Sequence, residues 1–374
     1  MGAVNARVSV RAARFRQRKP LWSGGALAVV AAAAAMAIPM ATAVGQTGAE
    51  YQQTNLISDI AGVARITDPN LVNPWGQAAS ATSPLWVADN GADVSTLYRG
   101  GVSGTIPQIV PLTVTIPGGA PTGVVFNSTS DFVVKTGTGN APANFIFDSE
   151  AGKITAWSRV VSGTTAQVEH SRKQAVYKGL AIASAGGATY LYAANFHSGR
   201  IEVYNSRFKR VRLSGHFRDA QIPAGFAPFD VQELAGKLYV TYAKQNAQRH
   251  DDVAGPGNGF VDVFDTSGHL LTRLVAHGDL NSPWGLALAP ASFGAFAGEL
   301  LVGNFGDGKI HAYDPMTGAA KGELVNTDNN PIQINGLWAL RFGNGVFGAA
   351  DTLVFTAGIG DESHGLLGEI SPAS

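Results

Sequence analysis

Beyond residue 50 the hydrophobic positions recur with a period of two, the strand signature, and no long segment carries helical periodicity. Thr189-Tyr190-Leu191-Tyr192-Ala193-Ala194-Asn195 leads through His197-Ser198-Gly199 into Arg200-Ile201-Glu202-Val203-Tyr204, which reads as strand, tight turn, strand. Residues 237–242 and 259–264 repeat that pattern. The cleanest copy predicts four strands, at 286–289, 299–304, 309–313 and 322–325, with Gly306-Asp307-Gly308 turning between the second and third.

The four-strand unit is itself repeated. Asn73-Pro74-Trp75-Gly76 and Ser282-Pro283-Trp284-Gly285 are near copies, and weaker copies lie at 120–124, 177–181, 227–231 and 334–338. Aligned on the glycine, the units start near 76, 123, 179, 230, 285 and 336, with spacings of 47 to 56 residues. Six such units predict an all-β, six-bladed β-propeller over residues 53–372. The last unit ends before its outer strand, while residues 53–59 form a spare strand ahead of the first. That segment is expected to pair beside residues 366–370 and close the ring, which removes two open sheet edges at once.

The start of the chain is different in kind. Arg7, Arg11, Arg14, Arg16, Arg18 and Lys19 precede a 23-residue apolar run at 21–43 that ends Ala41-Thr42-Ala43. A basic flank, an apolar core and small residues at a cleavage position predict a signal peptide over 1–43, a linker at 44–52, and a secreted protein, periplasmic or extracellular, with no stable membrane insertion. Removing the leader takes Lys plus Arg from 27 to 21 against 27 Asp plus Glu, so the mature chain carries about −6. That balance argues against nucleic acid as a partner. With no cysteine, disulfides, thiolate metal sites and thiol nucleophiles are excluded. A monomer is expected.

Residues 191–195 through 200–204 look like one NHL repeat, and Trp86-Val87-Ala88-Asp89-Asn90 and Leu301-Val302-Gly303-Asn304 look like its second strand. The chain resembles the six-bladed propellers of the NHL and gluconolactonase-like superfamily. With its Asn-Pro-Trp-Gly opening it is most similar to an uncharacterised family of secreted bacterial propellers. For gluconolactonase-like enzymes the resemblance implies a calcium ion at the top of the axis, held by Asn, Asp and Glu. Here it points to Asp230 and Asn335 as metal candidates. Lys178, which precedes the glycine in its unit, would oppose a cation.

At the repeat position, glycine is expected because inner strands converge on the axis, where a side chain would collide with its counterparts. Only unit four breaks the rule, with Asp230, which reads either as a metal ligand or general base or as a cap on neighbouring amides. Trp75 and Trp284 fill gaps between blades or offer a stacking platform. Unit four also inserts residues 244–259, with Arg249, His250, Asp251 and Asp252, a candidate specificity loop on the same face as the turns bearing His197 and His364. Three histidines and several carboxylates on one face could bind a metal or perform acid–base work, or could be ordinary solvated turns.

The chain has no G-x-S-x-G, H-E-x-x-H or P-loop motif. A quinone-dependent dehydrogenase, which shares this shape, finds no cofactor motif here. The sequence therefore leads to a binding module for a small-molecule, polymer or cell-surface ligand, contacted by Trp75, Trp284, Lys178, Arg249, Asp251 and Asp252. The alternative is a hydrolase or lactonase with calcium or another divalent ion near the axis, in which Asp230, His197, His250 or His364 would be catalytic.

Overall fold

The computed structural model describes residues 50–102 and 104–373. The expected signal peptide and most of the expected linker lie outside them; the first strand begins at Tyr51, inside the expected linker. Among the described residues the helical elements are two three-residue turns, Asn90–Ala92 and Gly294–Phe296, and no helix is long and apolar enough to cross a membrane.

Six antiparallel sheets form the blades. Their innermost strands are Pro74–Ala78, Pro121–Phe126, Tyr177–Ala185, Phe226–Leu234, Pro283–Leu288 and Leu337–Phe342. Each inner strand packs beside the next, and Leu337–Phe342 packs beside Pro74–Ala78, so the ring is complete. The fold is the expected six-bladed propeller. Blade two adds a small hairpin, Val133–Thr136 with Gly139–Pro142.

The sixth blade is completed by the start of the chain. Tyr51–Ser58 runs antiparallel to Leu366–Pro372, with Gln53 opposite Ile370 and Ser58 opposite Leu366. The Tyr51 hydroxyl donates to the Phe293 carbonyl (2.9 Å), and the ring lies parallel to Phe296 at 6.0 Å, anchoring the strand in the fifth blade as well. Burial pushes the Tyr51 phenol up to about 12.

Apolar residues at alternate strand positions fill the spaces between blades. One buried cluster joins blades one and two around Trp86, Phe145 and Trp157; another joins blades six and one around Ile57, Val87, Tyr98 and Leu367. A further cluster has no counterpart in blade-to-blade packing: Trp75, Phe229, Trp284 and Trp338 meet on the axis itself with Phe196 and Phe305.

The inner strands share one irregularity. In every blade the pairing with the second strand slips by a residue near its start, between Pro74 and Gln77, Tyr177 and Leu180, Pro228 and Asp230, Pro283 and Gly285, Leu337 and Leu340, and opposite Phe147–Ser149 in blade two. Such a bulge re-aims a side chain. It sends Trp75, Thr122, Lys178, Phe229, Trp284 and Trp338 toward the centre. The sixth copy thus sits three residues later than its sequence alignment implies: Trp338 and Ala339, not Asn335 and Gly336, are its equivalents. Gly336 serves a separate turn, with φ +68°.

Where glycine follows the bulge in blades one, two and five it is required by close packing, though not by crowding across the axis; blades four and six carry Asp230 and Ala339 there. A Cβ at Gly76 would lie 2.5 Å from the Thr122 carbonyl oxygen, and one at Gly285 would strike the Trp338 carbonyl oxygen. The obstruction is the backbone of the next blade. Gly285→Ala should therefore force two inner strands apart and cost about 1–3 kcal/mol, seen as a lower Tm in calorimetry; an unchanged Tm would contradict this packing.

Candidate functional site

On the turn face, above the aromatic layer, polar side chains from five blades meet. Lys178 is buried, its ammonium 4.9 Å from the centre of the Trp75 ring and 6.0 Å from that of Phe196. Its backbone carbonyl accepts from Trp284 Nε1 at 2.9 Å, so the aromatic layer holds the lysine from beneath. The Lys178 ammonium pairs with Glu150 Oε1 and lies 3.6 Å from Asp251 Oδ1. A charge out of water needs such partners.

Glu150 follows the second strand of blade two, and its other oxygen accepts from Asn90 Nδ2 of blade one at 3.0 Å. His250 and Asp251 come from the blade-four insertion. His250 Nδ1 is 2.6 Å from Asp251 Oδ1 and 3.9 Å from Glu150 Oε1. Blade six contributes Glu362, whose Oε2 accepts from Asn73 Nδ2 at 2.9 Å; Asn73 Oδ1 in turn accepts from Trp338 Nε1 at 3.1 Å. Asn73, Arg249, Asp361 and Glu362 all hold positive φ, from 45° to 64°.

The groups feel one another. Burial raises the Glu362 carboxyl, the Asn73 hydrogen bond and the Lys178 charge pull it back, and Glu150 and Asp252 push it further up. Burial also raises Asp252, against the Lys178 charge. Asp251 goes the other way: despite burial, the His250 hydrogen bond and Lys178 hold it below the usual carboxylate range. Two carboxylates therefore share one ammonium, with Asp252 and Glu362 under its influence, leaving the mouth with an excess of hydrogen-bond acceptors.

Of the residues singled out in the sequence, Lys178, His250, Asp251 and Asp252 come together here. Arg249 is exposed at the tip of the insertion. Trp75 and Trp284 are buried in the axial plug, where they act as the floor beneath Lys178. His364 sits apart on the rim, its Nδ1 2.7 Å from Asp59 Oδ2. His197 lies in the turn after Phe196, and Asn335 is exposed ahead of the sixth inner strand.

Asp230 lies beyond the plug. It lines an axial channel of about 230 Å³ with Gly76, Gly123, Trp284, Ala339 and Arg341, while the histidines occupy the turn face. Its carboxylate fills the space beside Gly179, where a Cβ would meet it. Its amide donates to Thr241 Oγ1 at 3.0 Å. Burial raises its carboxyl well above the normal range, the Val231 amide opposes this, and Asp148 adds to it.

Glu150 and Asn73 went unnoticed in the sequence. Glu150 falls in the blade-two turn at the same place as the other polar turns, so extending that register to every blade finds it. Asn73 adjoins the Pro-Trp-Gly motif, but its contact with Glu362 spans 289 residues.

The oxygens and nitrogen of Glu150, His250 and Asp251 lie within 4.8 Å of one another. Calcium takes six to eight oxygen ligands, and two carboxylates already bridged by an ammonium do not supply them. The axial calcium that the resemblance implies does not fit these residues.

No protein-family model matches the chain. It is 30% identical over 324 residues to the uncharacterized protein R648 of Acanthamoeba polyphaga mimivirus, covering 84% of this chain and 78% of that protein. Among solved structures, Penicillium chrysogenum α-L-arabinanase superposes with a TM-score of 0.52 at 12% identity, over 85% of this chain and 97% of the other. A gluconolactonase-like protein gives 0.41 at 16% identity, over 67% and 88%. The likeness to the arabinanase is one of fold alone.

Beneath the mouth, Asp148 accepts from the Thr122 hydroxyl (2.8 Å) and the Gly123 amide (2.7 Å). Burial nonetheless lifts its carboxyl to about 7. An unfolded chain gives up this proton near 3.8, so the folded state binds the extra proton between about pH 4 and 7, and stability falls as pH rises through that window. Asp148→Asn keeps an acceptor for both donors. In denaturant titrations its stability relative to the parent should improve from pH 4 to pH 8; a constant difference would contradict the assignment.

Proposed function

We propose a function for a chain that belongs to the family of the mimivirus protein R648: it is a binding module whose ligand sits at the turn-face mouth of the axis, over Lys178. The observation that carries this reading is the pairing of one buried ammonium with Glu150 and Asp251, beside Asp252 and Glu362, whose carboxyls feel its charge. Acceptors outnumber donors there, so the favoured ligand presents cationic or hydroxyl donors. The insertion supports the role of specificity loop because it brings His250 and Asp251 across to Glu150. The aromatic plug gives the site a rigid floor.

A second reading, a metal-dependent hydrolase, is favoured by the approach of Glu150, His250 and Asp251. Nitrogen with two carboxylate oxygens is a ligand set for zinc rather than calcium. Its ion would have to displace the Lys178 ammonium from Glu150.

Thermal shifts with polyamines, amino sugars, zinc and calcium separate the two. A donor-rich ligand at a hundredfold its Kd stabilises by about 2.7 kcal/mol, and Glu150→Gln with Asp251→Asn should weaken it tenfold or more. Stoichiometric zinc in the purified protein would replace the plain binding reading, and ligand binding indifferent to both substitutions would overturn the site.

The leader at 1–43 supports export to the periplasm or beyond. Protein recovered there should begin near Val44 by mass spectrometry; retention of residues 1–43 would overturn export.

A further inference from the structure

A cavity of about 560 Å³ lies away from the mouth, between blades three and four. That is within the range of small-molecule sites, which run from roughly 300 to 1,000 Å³. Its floor is apolar, formed by Ile201, Val203 and Phe226, and its rim carries Arg200, Arg210, Arg212 and Arg218. The loop after residue 211 roofs it by fastening onto blade four: the Gly215 amide donates to the Ser267 carbonyl and that of Phe217 to the Gly268 carbonyl, each at 3.0 Å.

The charge of this cavity is not cancelled from within. Its two acids are already engaged. Buried Glu202 is held by Arg172 at 3.3 Å and Arg210 at 3.4 Å and accepts from the Tyr177 and Tyr204 hydroxyls, while Asp219 pairs with Arg273. Arg200, Arg212 and Arg218 are exposed and make no ion pair among the described residues. Six of the 21 Lys and Arg beyond the leader (Arg200, Arg207, Lys209, Arg210, Arg212 and Arg218) fall within residues 200–218 of an otherwise acidic chain. Cationic planes above an apolar floor match a ligand with an anionic head and an apolar body.

We infer that the cavity between blades three and four is a second binding site, for a small organic anion with an apolar body, held at its head by Arg200, Arg212 and Arg218. A carboxylate, sulfonate or phosphate head satisfies the same arginines. The enclosing loop and apolar floor favour a compact molecule over a polymer.

The test uses 8-anilinonaphthalene-1-sulfonate as probe and N-phenyl-1-naphthylamine as its uncharged analogue. The expected result is saturable one-to-one binding to the folded protein, at least tenfold weaker for the analogue and for the Arg200→Gln/Arg212→Gln variant, with an unchanged Tm. Glu150→Gln should leave it unaltered, since that residue belongs to the mouth. Absent saturation, an analogue that binds as tightly, or a double variant that binds normally would overturn the site. Binding of heparin at these arginines without binding of the probe would overturn the small-ligand assignment.

Discussion

The bulge that recurs near the start of every inner strand is the constraint on which the molecule rests. A regular strand alternates its side chains between two faces, and in a propeller blade both faces are committed to neighbouring blades. One extra residue breaks the alternation and leaves a single side chain per blade free to face the centre. The next residue is then pressed against the adjacent backbone, which accounts for glycine at 76, 123 and 285, while Gly179 makes room for the Asp230 side chain. The bulge also strands an amide, and three blades supply an acceptor from the second strand: Asp148, Thr241 and Thr356. Geometry, composition and hydrogen bonding are thus three aspects of one backbone irregularity.

What fills the six inward positions determines the chemistry. Three tryptophans and a phenylalanine make a solid plug, with Trp75 and Trp338 stacked at 3.5 Å. Thr122 and Lys178 complete the set. A lone ammonium surrounded by aromatic faces is stabilised by their quadrupoles but still requires anions, and Glu150 and the blade-four insertion provide them. The plug also divides the axis, with the lysine and its carboxylates on one side and Asp230 with its channel on the other.

The architecture was legible because a propeller writes itself locally: a period of two, a turn, and a return of the pattern after about fifty residues. The strand at Tyr51–Ser58 was legible for a related reason, since the sixth unit visibly lacked a fourth strand. The site was legible in part. Lys178 and the His250-Asp251-Asp252 run stood out because they interrupt the repeat. Asn335 misled because Gly336 imitates the repeat glycine three residues early, and only the pairing of Leu337 with Ala357 reveals the slip. Asp230 was seen as exceptional, but whether it faced the histidines depended on which side of the plug it lay, and side-chain volume on the axis is not written in any local pattern.

The seam between Tyr51–Ser58 and Leu366–Pro372 joins the two ends of the described chain. Apart from two residues of parallel pairing with Ile66–Thr67, the first described strand must wait for the last before it is paired along its length. Loop-closure entropy makes such pairing a late event. Until it forms, Tyr51–Ser58 and Leu366–Pro372 each keep one edge unpaired. The seam therefore works as a latch on the described ring, alongside the contact of Leu337–Phe342 with Pro74–Ala78.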